Sequence, residues 1–143
     1  PTFPTIQGVT NTNRSTIYYE HEKGVNQVDA TGAKTAIPAF IQSGDFDLNI
    51  GGDGQFFMSM RRFIPDFRVL TGDARVTINL RSFPTDTATS SPLGPFTINN
   101  TTNKVDTRAR TRFASLKIEN TSTDQSWRYG TFRADIQPDG MRG

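Results

Sequence analysis

Between Arg75 and Arg81 the chain reads Arg-Val-Thr-Ile-Asn-Leu-Arg, so apolar Val76, Ile78 and Leu80 alternate strictly with polar neighbours. A two-residue period places all the apolar side chains on one face of an extended strand, and a helix cannot satisfy it. The same period recurs where Phe46, Leu48 and Ile50 alternate with Asp45, Asp47 and Asn49. It returns in Ala114, Leu116 and Ile118, and again in Phe132, Ala134 and Ile136. Strands of this kind need a second layer to cover their apolar faces. Alternating segments separated by turn residues therefore predict an all-β, antiparallel β-sandwich, jelly-roll-like, of about eight strands.

Turn chemistry supports that class. With 12 Gly and 8 Pro in 143 residues, and many Thr and Asn, the sequence favours short strands and tight turns over helices. The length suits one domain, and such a chain buries roughly 68–70% of its unfolded surface. We divide it into an extended arm or linker over 1–14, rich in Pro, Thr and Asn, and a single sandwich over 15–143.

Within the sandwich, Ile17–Glu22 is a first strand, and Lys23–Lys34 is a long loop. Ala36–Gln42 is strand-like, and Pro38 confines it to a sheet edge or a strand start. Gln55–Phe63 carries Phe56, Phe57, Met58 and Met60 in a mixed apolar run, which suggests a strand buried on both sides. Ser82–Pro95 forms a long connection before Phe96–Ile98 returns to the sheet. Phe113–Glu119 and the segment from Trp127, joined by a polar turn, describe a closing hairpin.

Most catalytic chemistries find no foothold. The absence of Cys removes disulfides, thiolate nucleophiles and cysteine zinc sites. His21 is the single histidine, and its neighbours Glu20 and Glu22 take the opposite strand face, which makes it a solvated strand residue. Asp45, Asp47 and Asn49 imitate the start of a calcium loop, but Ile50 occupies the position that needs Gly and Phe56 the one that needs Glu. Gly32-Ala33-Lys34-Thr35 lacks the glycines of a phosphate loop and reads as a turn. Asp45, Asp47, Asp53 and Asp66 lie in turns or on polar faces, where solvated roles outweigh paired-carboxylate catalysis. We expect no enzyme, no cofactor, no metal and no membrane partner, since no apolar stretch nears the ~20 residues a bilayer requires.

Two features point to surfaces instead. Arg108, Arg110 and Arg112 alternate, so in one extended strand their guanidinium groups would form a basic ladder at about 6.6–6.8 Å intervals. Such a ladder suits phosphates, the carboxylates of an adjacent subunit, or plain solvation with local ion pairs. The weak global charge, +2, means that any nucleic-acid contact must be local. Phe113, Trp127 and Tyr129 fall on the faces opposite the inward sets. Either a bulge turns them inward, or they form an aromatic patch offered to a neighbour.

Five segments in order carry a resemblance: Tyr18-Tyr19-Glu20-His21-Glu22-Lys23-Gly24, Met60 through Phe67, Arg108 through Arg112, Trp127-Arg128-Tyr129-Gly130 and Asp139-Gly140-Met141-Arg142. This series is similar to the C-terminal region of tailed-bacteriophage virion proteins, in particular tail nozzle and tail-tube-associated proteins. The resemblance implies a non-enzymatic β-sandwich in the virion, assembled in the host cytoplasm, that packs with copies of itself and neighbouring tail proteins in a ring around the DNA channel. On that view Phe113, Trp127 and Tyr129 anchor the subunit contact, while Arg108, Arg110 and Arg112 set its register or touch the DNA backbone. The alternative is a carbohydrate- or receptor-binding module at the virion surface, with Trp127 and Tyr129 as a stacking platform.

Overall fold

The alternating segments do pair into sheets. The structure, a computed structural model, describes residues 7–12, 15–20, 24–48, 56–83, 85 and 92–141. Every regular element among them is a strand. In order these are β1 (Gln7–Thr12), β2 (Ser15–Glu20), β3 (Asn26–Val28), β4 (Lys34–Ala36), β5 (Ala39–Gln42), β6 (Phe56–Ile64) and β7 (Phe67–Thr71). There follow β8 (Ala74–Arg81), β9 (Leu93–Ile98), β10 (Val105–Thr111), β11 (Phe113–Asn120), β12 (Ser126–Tyr129) and β13 (Arg133–Met141). Thirteen described strands exceed the expected eight because several are short hairpin arms.

Two antiparallel sheets make the sandwich: a four-stranded one in the order β5-β11-β8-β9 and a three-stranded one in the order β10-β6-β13. Their inner faces build one core. Val76, Ile78, Ala114, Leu116, Ile118 and Ile98 come from the first sheet, and Met58, Met60, Phe63 and Ala109 from the second. The parity read from sequence places Val76 and Ile78 inward, with Leu80 half-buried at the margin.

β6 and β7 act as one long strand that pairs with β12 and β13. Phe56 opposes Met141 at one end, and Thr71 opposes Ser126 at the other. The ribbon is interrupted once, at Pro65-Asp66 against Gly130-Thr131-Phe132. There Gly130 N donates to Asp66 O at 2.6 Å, and Thr131 N donates to Asp66 Oδ2 at 3.3 Å.

Five sequence expectations change. Gln7–Thr12 pairs residue for residue with Ser15–Glu20, so the expected division between an arm over 1–14 and a sandwich over 15–143 separates two paired strands. The Lys23–Lys34 loop contains β3, which pairs with β4. The Phe46–Ile50 strand reduces to a single bridge, in which Phe46 N donates to Ala114 O (2.8 Å) and Ala114 N to Phe46 O (3.0 Å). Its alternation is nevertheless real, with Phe46 and Leu48 half-buried and Asp45 and Asp47 exposed; Asn49 and Ile50 lie outside the described residues. β6 is not buried on both sides, since Arg61, Arg62 and Ile64 are exposed. Finally, β11 and β12 form no hairpin: β11 joins β5 and β8, whereas β12 joins β7.

The edge placement of Ala39–Gln42 agrees with the effect of Pro38. β5 closes one side of the four-stranded sheet, pairing through Ala39 to Gln42 with Asn120 to Lys117. No helix of the described residues is long and apolar enough to cross a membrane.

Candidate functional site

The basic ladder is built by β10, and it is shorter than its sequence suggests. Arg108 and Arg110 are both exposed on the outer face of the three-stranded sheet, while Ala109 and Thr111 turn inward. Arg112 follows the end of β10, where the chain passes from one sheet to the other. It is half-buried, and its guanidinium lies 5.3 Å from the Phe113 ring centroid. Strand parity holds only within one sheet, so the crossing removes Arg112 from the ladder.

Arg110 is also engaged. Its Nε donates to Asp139 Oδ2 at 2.8 Å and its Nη2 to Asp139 O at 3.0 Å, while the guanidinium sits 4.2 Å from the Phe57 ring centroid. Arg62, central on the same face, lies between Asp106 (3.9 Å) and Asp135 (3.7 Å). Exposed pairs of this kind are worth at most about 1 kcal/mol each. They do determine which charges of the face are already neutralised.

The three aromatic candidates do not share a patch. Trp127 and Tyr129 pack against Phe67, with centroids 6.4 Å and 5.3 Å apart in edge-to-face geometry. Trp127 Nε1 donates to Asn120 Oδ1 at 3.2 Å, and Asn120 Nδ2 donates to Ile37 O at 3.1 Å. Phe113 begins β11, at the end opposite Asn120. All three are half-buried. Trp127 and Tyr129 share the inward face of β12 by plain alternation with the exposed Arg128.

Tyr129 carries a measurable consequence. Burial, reinforced by the nearby Asp66 carboxylate, pushes its phenol up to about 12 from the ordinary 10. The neutral form is favoured in the folded state, so the unfolded chain ionises first as pH rises. Stability contributed by Tyr129 is complete below pH about 10 and is lost as pH approaches about 12. Urea midpoints taken across that window should fall more steeply for the native chain than for Tyr129→Phe. Equal slopes would show that the phenol is not held neutral by the fold.

Other candidate chemistries resolve into structural roles. Asp29 accepts from Thr31 Oγ1 (2.6 Å), Thr31 N (2.8 Å) and Ala33 N (2.9 Å), which shapes the β3–β4 turn and holds its carboxyl below the usual range. Of the Gly32–Thr35 segment, Gly32 and Ala33 belong to that turn, whereas Lys34 and Thr35 open β4 and pair with Val28 and Gln27. Asp45 is paired with Arg81, and Asp66 braces the ribbon interruption. No group of three metal-ligating side chains occurs among the described residues. His21 and Asp53 lie outside those residues.

A surface that the sequence reading missed lies at β5. Phe40 is 69% exposed, Ile41 51% and Ile37 48%. Ile41 opposes Ile118 in the ladder and therefore faces inward, yet it remains half exposed. It lines an open cleft of about 120 Å³ with Leu116, Ile118 and Tyr129. On the other face of the strand, Lys117 Nζ lies 5.4 Å from the Phe40 ring centroid. The sequence signal was present in Ile37-Pro-Ala-Phe-Ile41, but exposure depends on what packs against the strand.

No protein-family model matches the chain, and no curated protein matches it.

Proposed function

We propose that the chain is a non-enzymatic structural component of a bacteriophage virion, in the tail nozzle or head-to-tail region, packing with copies of itself into a ring around the DNA channel. The observation that carries the assembly role is the apolar end of the sandwich at β5. An edge strand with Phe40 and Ile41 exposed, beside an uncovered apolar cleft, is a liability for a solitary domain and an asset for a subunit. The phage setting rests on the sequence resemblance described above.

The geometry moves the expected subunit contact. Trp127 and Tyr129 are used largely within the chain, so the anchors become Ile37, Phe40 and Ile41, with Tyr129 at the floor of the cleft. An apolar contact of this type resists salt, whereas a contact through arginines dissociates in it. Light scattering of the purified chain at low and high salt should give a ring-sized mass in both conditions. The double variant Phe40→Asp, Ile41→Asp should reduce that mass to the monomer while retaining the native spectrum. A monomeric native chain in both salts would overturn the assembly reading.

A further inference from the structure

The outer face of the long ribbon displays a regular pattern of exposed arginines. On β6, Met60 and Phe63 are buried while Arg61 and Arg62 between them are both exposed, which is possible because Arg61 is an extra residue. Met60 opposes Ile136 and Arg62 opposes Asp135, leaving Arg61 without a counterpart on β13. Across the other ladder the same position faces Thr107 and Arg108, since Met60 opposes Ala109 and Arg62 opposes Asp106. The bulge therefore places Arg61 beside Arg108. Thr107 Oγ1 closes it from within by donating to Met60 O at 3.3 Å.

Seven residues later the device repeats. Phe67 and Leu70 turn to the core, and Arg68 and Val69 between them are exposed. Phe67 opposes Tyr129 and Val69 opposes Arg128, so Arg68 is again the extra residue and lies beside Arg128. Cross-strand neighbours sit about 5 Å apart at Cβ, close enough for two guanidinium groups to converge on one anion.

Charge balance separates these four residues from the rest of the face. Arg62 is held by Asp106 and Asp135, Arg110 by Asp139, and Arg133 lies 3.7 Å from Asp66. Among the described residues, no carboxylate lies within ion-pair distance of Arg61, Arg108, Arg68 or Arg128. The face thus offers two concentrated positive sites along a single ribbon. From residue 61 to residue 68 the strand advances roughly 20 Å.

From this we infer that the ribbon's outer face binds the sugar-phosphate backbone of a nucleic-acid duplex, with Arg61 and Arg108 on one phosphate cluster and Arg68 and Arg128 on another. A single carboxylate or phosphate would fill one pair and leave the second idle; an extended polyanion fills both. The separation corresponds to about six steps of a 3.4 Å helical rise. A duplex fits better than a single strand because single strands are held by base stacking on exposed aromatic rings. Among the described residues, the aromatic on this face, Phe57, is half-buried beneath Arg110. With the arginines meeting phosphates, binding is independent of base sequence. The inference goes beyond the ring assembly and holds equally for a monomer.

The test is fluorescence anisotropy of a mixed-sequence DNA duplex titrated with the full chain over a range of salt, its mass checked by light scattering in the same buffers. Each phosphate neutralised adds about −0.9 to the slope of log K against log salt, so four arginines contribute about −3.6 per chain. Arg61→Gln with Arg108→Gln should remove about half of that, as should Arg68→Gln with Arg128→Gln. Arg75→Gln with Lys117→Gln removes the same charge from the outer face of the opposite sheet and should leave the slope nearly unchanged. Absence of duplex binding at low salt would overturn the inference, as would equal losses in that control variant. Tighter binding of poly-glutamate than of DNA would also overturn it, assigning the face to an acidic protein partner. Because the mass is read alongside, failure to form a ring and failure to bind DNA are distinguished.

Discussion

Replacing Phe63 by alanine is expected to destabilise the fold by about 3–5 kcal/mol, the range for deleting a buried phenyl ring. Phe63 is 1% exposed on β6, the central strand of the three-stranded sheet. Its ring lies 5.7 Å from that of Phe96, on the edge strand of the opposite sheet, and 6.4 Å from that of Phe132, which leads into β13. The side chain therefore links both layers, and its loss opens a cavity that no single neighbour can fill. Domains of this size have total stabilities of about 5–15 kcal/mol, so the variant would sit near the folding threshold. Urea unfolding should show a midpoint well below that of the native chain. Phe63→Leu, which keeps part of the volume, should lose distinctly less. A loss below about 1 kcal/mol for the alanine variant would mean that the two sheets do not meet at this ring.

The sequence displayed which residues face inward far better than which strands meet. Val76, Ile78, Ala114, Leu116 and Ile118 were legible because facing within a strand is set by local parity, which requires no knowledge of a partner. Pro38 correctly sent the following strand to an edge for an equally local reason, its missing donor. Partner choice is not local. The polar turn after Asn120 is compatible with a hairpin, but β11 is drawn to β8 and β5 by the apolar faces it shares with the core. Arg112 was misplaced because parity was carried across the passage between sheets, where the strand direction changes. Nor could parity reveal Arg61 or Arg68. Both arise from bulges, in which two successive residues face the same way, so a strict two-residue reading assigns one of each pair inward. The Met60-Arg-Arg-Phe63 and Phe67-Arg-Val-Leu70 spacings, apolar residues three apart around an exposed pair, are the signal that would have shown them.

The second large effect is expected at Gly130, where the ribbon is interrupted. A Cβ on this residue would lie 2.8 Å from Asp66 O and 3.0 Å from Asp66 Cγ and Oδ2. The closest of these is a backbone atom, and the hydrogen bond from Gly130 N holds the two strands at that distance. Alanine must therefore separate the strands rather than displace a flexible side chain. Overpacking of this kind costs about 1–3 kcal/mol. It would also strain the bonds through which Asp66 holds Thr131 and Arg133. Gly44→Ala is the control, since nothing lies within 4 Å of its added Cβ. The interruption lies between the two arginine pairs, so its geometry fixes their separation and relative twist. Gly130→Ala should consequently weaken duplex binding under conditions where it remains folded, although it removes no charge. Urea unfolding reports the first effect and anisotropy the second. If stability falls while duplex affinity is unchanged, the two pairs engage the phosphates independently and the ribbon does not set their spacing. If both fall together, with Gly44→Ala silent in both, the close approach at Asp66 is what aligns the two sites on one duplex.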